Sequence, residues 1–92
     1  MKTILRRDKL KIYGDLLSAL YSESHAEKVV LTQVQVKIKV PFDRLKMYIA
    51  ELVNLGLVQD VTSLKLTEKG MQYLIEYDRV LDFMKRMGLS YR

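Results

Sequence analysis

The chain has 92 residues, 49% hydrophobic and 29% charged, with four glycines, one proline and no cysteine. That length excludes a multidomain enzyme, and that balance excludes disorder. The missing cysteine excludes disulfides, thiol catalysis and thiolate metal sites, leaving His25 as the one imidazole.

Sixteen Lys and Arg against eleven Asp and Glu give a net charge of +5. On so small a surface this surplus favours a polyanion, nucleic acid before membrane. No apolar run reaches the length of a signal-peptide core or a membrane span, so the expected location is the cytoplasm, in association with the nucleoid. Usage is mildly thermophile-like, with no Cys, one Asn and many Lys and Glu. A chain this short buries only roughly 60–65% of its unfolded surface, so a dimer interface would help it.

In chain order, Arg7 to Ser22 predicts a first helix: Leu10, Tyr13, Leu17, Leu20 and Tyr21 form one stripe at helical spacing. Ile12, Leu16 and Ala19 form a second apolar line nearly opposite, so something must cover both sides. Ser22 to Lys28 reads as a polar turn, Val29 to Leu31 as a short strand, and Thr32 as a cap. Residues 32–39 alternate like a strand, but the Thr in front, Pro41 behind and the clear helix that follows predict a helix. From Phe42 to Leu55, Leu45, Tyr48, Ile49, Leu52 and Leu55 share one face. Asp43, Arg44, Met47, Ala50, Glu51 and Asn54 share the other, and Gly56 ends the helix. Leu57 to Val61 and Leu64 to Leu66, around Thr62 and Ser63, predict an antiparallel hairpin, although the turn lacks the Gly or Asn that a tight loop prefers. Thr67 caps a last long helix that Gly88 closes. Tyr73, Tyr77, Val80, Met84 and Met87 recur along it with 4-3-4-3 spacing, a seam of the coiled-coil type, with Leu74 and Leu81 alongside. No repeat or linker interrupts the chain, so residues 1–92 form one domain, with 67–88 as its C-terminal dimerisation helix.

Helix, short strand, helix, turn, helix and hairpin in that order make a winged helix-turn-helix, mainly α with a small β wing. In such a module the third helix, here 42–55, enters the major groove and the wing, here 57–66, meets the backbone. The stretches Leu52-Val53-Asn54-Leu55-Gly56-Leu57-Val58 and Leu64-Lys65-Leu66-Thr67-Glu68-Lys69-Gly70 resemble the recognition-helix exit and the junction to the last helix in many prokaryotic winged-helix regulators. Across nearly its whole length the chain resembles the small basic archaeal winged-helix proteins of the Sulfolobus ten-kilodalton "a" type. That resemblance implies an antiparallel coiled-coil homodimer with a winged helix at each end, binding double-stranded DNA as a transcriptional regulator or a chromosomal architectural (chromatin) protein. The last helix, ending near Gly88, is shorter than that family's rod.

The charge distribution points the same way. Residues 1–11 carry +4, 12–27 carry −3, 28–46 carry +4, 47–60 carry −2 and 61–92 carry +2. Lys37, Lys39, Arg44 and Lys46 converge on the turn around Pro41, where phosphate contacts would release counterions; individually each also reads as a solvated charge. Gln33 and Gln35 read as polar surface or as amide contacts to bases or phosphates. Met47 reads as touching a thymine methyl or the groove wall, or as a peripheral core contact. Lys65 on the wing is a phosphate candidate. Tyr73 and Tyr77 belong to a core or dimer seam rather than to a base-stacking platform.

His25, between Glu23 and Glu27, has no nucleophile or second ligand near it in sequence and reads as a loop histidine. Asp78 and Asp82, one turn apart, read as partners of Arg79, Lys85 or Arg86 rather than as a cation site. The expected partners are therefore double-stranded DNA and a second copy, with no membrane, no small-molecule ligand evident, no cofactor, no metal and no catalytic constellation. The alternative is a winged-helix module that binds other proteins and not DNA.

Overall fold

The computed structural model describes residues 3–24 and 29–91, which form β1 (Thr3–Leu5), α1 (Lys9–Glu23), α2 (Leu31–Ile38), α3 (Phe42–Asn54), α4 (Glu68–Arg86) and β2 (Leu89–Tyr91). His25 lies outside the described residues.

Helix α1 begins where Asp8, in extended backbone, accepts a hydrogen bond from the Lys11 amide at 3.0 Å. Its two apolar lines are both covered in their middle, where α2 and α4 pack against it, while Leu10 and Tyr21 at the ends of the first line stay exposed. Leu16, Leu17 and Leu20 are fully buried and Ala19 nearly so. With Val34, Ile38, Leu45, Tyr48, Ile49, Leu52, Leu57, Val58 and Leu64 they make one hydrophobic core.

The alternating segment is helical, as its flanks predicted, and it ends at Lys39, whose left-handed φ of 55° reverses the chain. Pro41 then stands at the N-cap of α3 with φ of −59°, its carbonyl accepting from the Leu45 amide at 2.9 Å. Gly56 and Gly88, both at φ 77°, follow α3 and α4.

Three expectations are corrected. Val29 to Leu31 is not a strand: Val30 is the N-cap of α2, without a side-chain bond, and Thr32 lies inside the first turn. A three-residue β-prone run forms a strand only with a neighbour to pair with, and none is alongside among the described residues.

The 57–66 hairpin is reduced to one antiparallel bridge, Val58 to Leu66, flanked by hydrogen bonds from Gln59 N to Lys65 O at 2.9 Å and from Thr67 N to Leu57 O at 3.1 Å. With no Gly or Asn to make a two-residue turn, the Asp60 carboxylate accepts from the amides of Thr62 (2.9 Å) and Ser63 (2.6 Å). Leu64 takes a left-handed φ of 56°, and its side chain is buried in the core.

The two-stranded sheet lies elsewhere and is parallel. It pairs Thr3 with Leu89, Ile4 with Ser90 and Leu5 with Tyr91, joining the two ends of the chain.

Candidate nucleic-acid interface

Helix α3 buries Leu45, Tyr48, Ile49 and Leu52. Diametrically opposite, at spacings of four, three and four, stand Asp43, Met47, Ala50 and Asn54, all exposed, with Met47 50% accessible. Arg44 and Lys46 flank this outer stripe, one on each side, and both are exposed. Among the described residues neither is drawn into an ion pair, and the Lys46 ammonium stands 5.9 Å from the centre of the Phe42 ring. The arrangement is a short polar and apolar strip bordered by two cations.

Lys39, at the left-handed end of α2, extends the basic border and is exposed. Lys37 is half-committed: its ammonium pairs with Glu23 at 2.8 Å and donates to the Ser22 hydroxyl at 3.2 Å. Gln33 is exposed, whereas Gln35 donates its amide to the Val40 carbonyl at 3.2 Å and supports the turn. Lys65 is exposed on the bridged loop after α3.

Two contacts from the N-terminal basic stretch set the attitude of this surface, and neither was singled out from the sequence. The Arg7 guanidinium donates to the Ile38 carbonyl at 2.8 Å, satisfying a free carbonyl at the end of α2, and lies 3.6 Å from the Asp15 carboxylate. The Lys9 ammonium pairs with Glu51 of α3, whose carboxylate also accepts from the Tyr13 hydroxyl at 2.9 Å. Lys9 further lies 5.5 and 5.4 Å from the ring centres of Tyr13 and Tyr48.

The Lys9 and Tyr13 hydrogen bonds hold the Glu51 carboxyl below its usual range, and the Glu51 bond in turn raises Lys9. Glu51, a half-exposed acid at the edge of α3, is thereby compensated by α1. Asp43 sits in the first turn of α3, where the helix dipole favours it. The only sequence signal for Arg7 and Lys9 was the +4 of the first eleven residues.

The seam of α4 faces largely inward. Tyr77 and Met84 are buried within the protomer, Tyr73 donates its hydroxyl to the Leu10 carbonyl at 2.8 Å, and Tyr73 and Val80 are half-buried. Met87 and Phe83 remain exposed. Asp82 pairs with Arg86 at 3.2 Å, and Arg79 pairs with Glu76 at 3.0 Å rather than with either aspartate.

Among the described residues no helix is long and apolar enough to cross a membrane, and no group of three His, Cys, Asp or Glu side chains could hold a metal ion. Comparison with curated proteins and with solved structures gives no match. A family profile described as winged helix-turn-helix matches residues 6–85, from Arg7's neighbour through most of α4, and such proteins are typically DNA-binding and not enzymes. With α2, the Lys39 turn, α3 and the bridged loop standing in that order inside the matched region, the chain belongs to the winged helix-turn-helix family.

Proposed function

We propose that the protein is a double-stranded DNA-binding transcriptional regulator that lays α3 in the major groove. The observation that carries this reading is the outer face of α3: a stripe of Asp43, Met47, Ala50 and Asn54 between Arg44 and Lys46. A helix in the groove has base edges beneath its outermost stripe and a phosphate strand on either side, which is the distribution of polar, apolar and cationic groups found on α3. Asn54 suits an adenine edge, Met47 and Ala50 suit a thymine methyl, and Asp43 accepts only from a base such as cytosine. An acid at that place repels phosphate, so it favours a sequence-reading regulator over a sequence-neutral architectural protein. Lys39, Lys65 and, after release from Glu23, Lys37 add phosphate contacts, and Gln33 adds a polar contact beside them.

The functional unit is a homodimer, as the resemblance to the archaeal ten-kilodalton proteins implies. Tyr73, Val80, Leu10 and Leu57 border an apolar groove of about 270 Å³, and Met87 and Phe83 continue its exposed surface along α4. Lys69 and Glu76 also border it, one cation and one anion that a two-fold axis could set opposite each other once they leave the Leu55 carbonyl and Arg79. Tyr77 and Met84 brace this surface from within the protomer.

Fluorescence titration of random and selected duplexes at several salt concentrations tests the reading. Selection should return a preferred site, and Asn54→Ala should lose that preference while keeping its affinity for random duplex. Absence of duplex binding at low salt would overturn it in favour of a protein-interaction module.

A further inference from the structure

A cleft of about 360 Å³ opens between α1, the last turns of α4 and β2. Leu81, Met84 and Leu89 give it an apolar lining, and Lys11 and Lys85 line it beside them. None of the described lining residues is acidic, and the Tyr91 ring lies 5.7 Å from the Lys11 ammonium. The volume falls in the range of small-molecule sites, which are apolar with a few polar groups that fix orientation.

We propose that this cleft binds a small organic anion with an apolar body, a carboxylate of medium chain length, and that its occupancy is transmitted to the helix-turn-helix. The binding half is independent of the DNA reading; the regulatory consequence rests on it. An apolar lining alone would take a neutral ligand. Lys85 is in no ion pair among the described residues and Lys11 is shared with Asp15 behind the wall, so the surplus charge on the cleft is positive and favours a ligand whose head is negative, an attraction that a partly enclosed setting strengthens.

The route outward is a chain of charged contacts. The Lys11 ammonium lies 2.8 Å from Asp15 Oδ2, the same oxygen lies 3.6 Å from Arg7 Nη2, and that nitrogen donates at 2.8 Å to the carbonyl of Ile38, the residue before the Lys39 turn. A ligand carboxylate on Lys11 competes with Asp15 for its ammonium. Asp15, losing that share, draws Arg7 toward itself and off the Ile38 carbonyl. The ligand thus has different contacts in the two arrangements, which is what a shift of conformational balance requires.

Sodium octanoate is the probe, added to the ¹⁵N-labelled full chain without DNA. Saturable amide shifts are expected at Leu81, Leu89, Ser90 and Tyr91, accompanied by shifts at Ile38, Lys39 and Val40. Octanol, of the same length and neutral, should bind about tenfold more weakly, and Lys85→Met, at an exposed position, should cost octanoate a similar factor. Lys11→Met should weaken binding and also abolish the Ile38–Val40 shifts, whereas Arg79→Met, at an exposed position outside the cleft lining, should change neither.

No saturation at 10 mM (a concentration of roughly the weakest specific binding worth the name), equal binding of octanol and octanoate, or shifts at Leu10, Tyr73 and Val80 instead would overturn the site. Shifts confined to the cleft would overturn the transmission. Because DNA is absent from every arm, failure of the DNA reading is a separate result.

Discussion

Gly14 of α1 lies against the ring of Tyr77 on α4, so close that a Cβ at position 14 would clash with three of the ring's carbons. The lack of a side chain at one residue thus lets the other bury its aromatic face, and α4 is held against α1. Tyr77 also donates its hydroxyl toward Asp15 at 3.4 Å, a long bond that contributes little next to the packing.

Gly14→Ala should therefore destabilise the fold by about 1–3 kcal/mol through overpacking, even though alanine is the better helix former. For a domain of this size that corresponds to a fall in Tm of roughly 5–20 °C, measured by circular dichroism. Tyr77→Phe, which keeps the ring, should move Tm far less. An unchanged Tm for Gly14→Ala would mean that α4 is not seated on α1 in this way.

Arg44→Ala with Lys46→Ala should weaken binding to every duplex sequence, because these cations flank the outer stripe of α3. A dimer touching about six phosphates should show a log–log salt slope near −5, and each lost contact should flatten it by about 0.9. Parallel titrations of parent and variant against salt decide the matter.

Arg7→Ala should leave the last carbonyl of α2 without its donor. At 28% side-chain exposure, water makes up part of the loss, so the expected cost is about 1.5 kcal/mol, the lower end for a hydrogen bond from a charged group. Urea denaturation should show it as a lowered midpoint at constant slope. Duplex affinity should fall with it on all sequences, since the Lys39 turn loses its support.

Burial, with Asp8 nearby, pushes the Tyr73 hydroxyl up to about 12, and burial with Asp15 nearby pushes Tyr77 higher still. Both are neutral in the fold, while in the unfolded chain they ionise near pH 10. Above pH 10 the unfolded state therefore holds fewer protons than the native one, so stability is complete below about pH 10 and is lost as pH rises toward 12 and beyond. Tyr73→Phe should flatten the decline in Tm between pH 10 and 12 relative to the parent. An equal decline in both proteins would show that Tyr73 is not shielded.

Association through the outer edge of α4 is testable without harming the core. Charging Met84 would damage the protomer, where that side chain is buried, but Met87 and Phe83 are 57% and 48% exposed. Phe83→Lys with Met87→Lys should leave Tm nearly unchanged at micromolar concentration. It should convert a sedimenting dimer to a 10.8 kDa monomer and weaken duplex binding by removing the second reading unit. A parent protein that already sediments as a monomer at tens of micromolar would remove the dimer from the proposal.

The four helices, the break at Pro41, the stops at Gly56 and Gly88 and the two-sided burial of α1 were all legible in the residue pattern. Each rests on local chemistry: helical periodicity, a missing amide, a left-handed glycine. The basic border of α3 was legible for the same reason, since spacing alone sets which side chains share a helix face.

What could not be read there depends on contacts between residues far apart in the chain. Three-residue strands carry no measurable period, so the pairing of Thr3–Leu5 with Leu89–Tyr91 arises only when α1 and α4 bring the two ends together. The 4-3-4-3 run on α4 marks an apolar face without saying what meets it. Gly14 leaves a recess that Tyr77 fills from within the same chain, so most of that face is consumed before a partner arrives. Likewise the first eleven residues showed only surplus charge. The fold spends Arg7 on the Ile38 carbonyl and Lys9 on Glu51, making two cations of that stretch supports for the surface that carries the others.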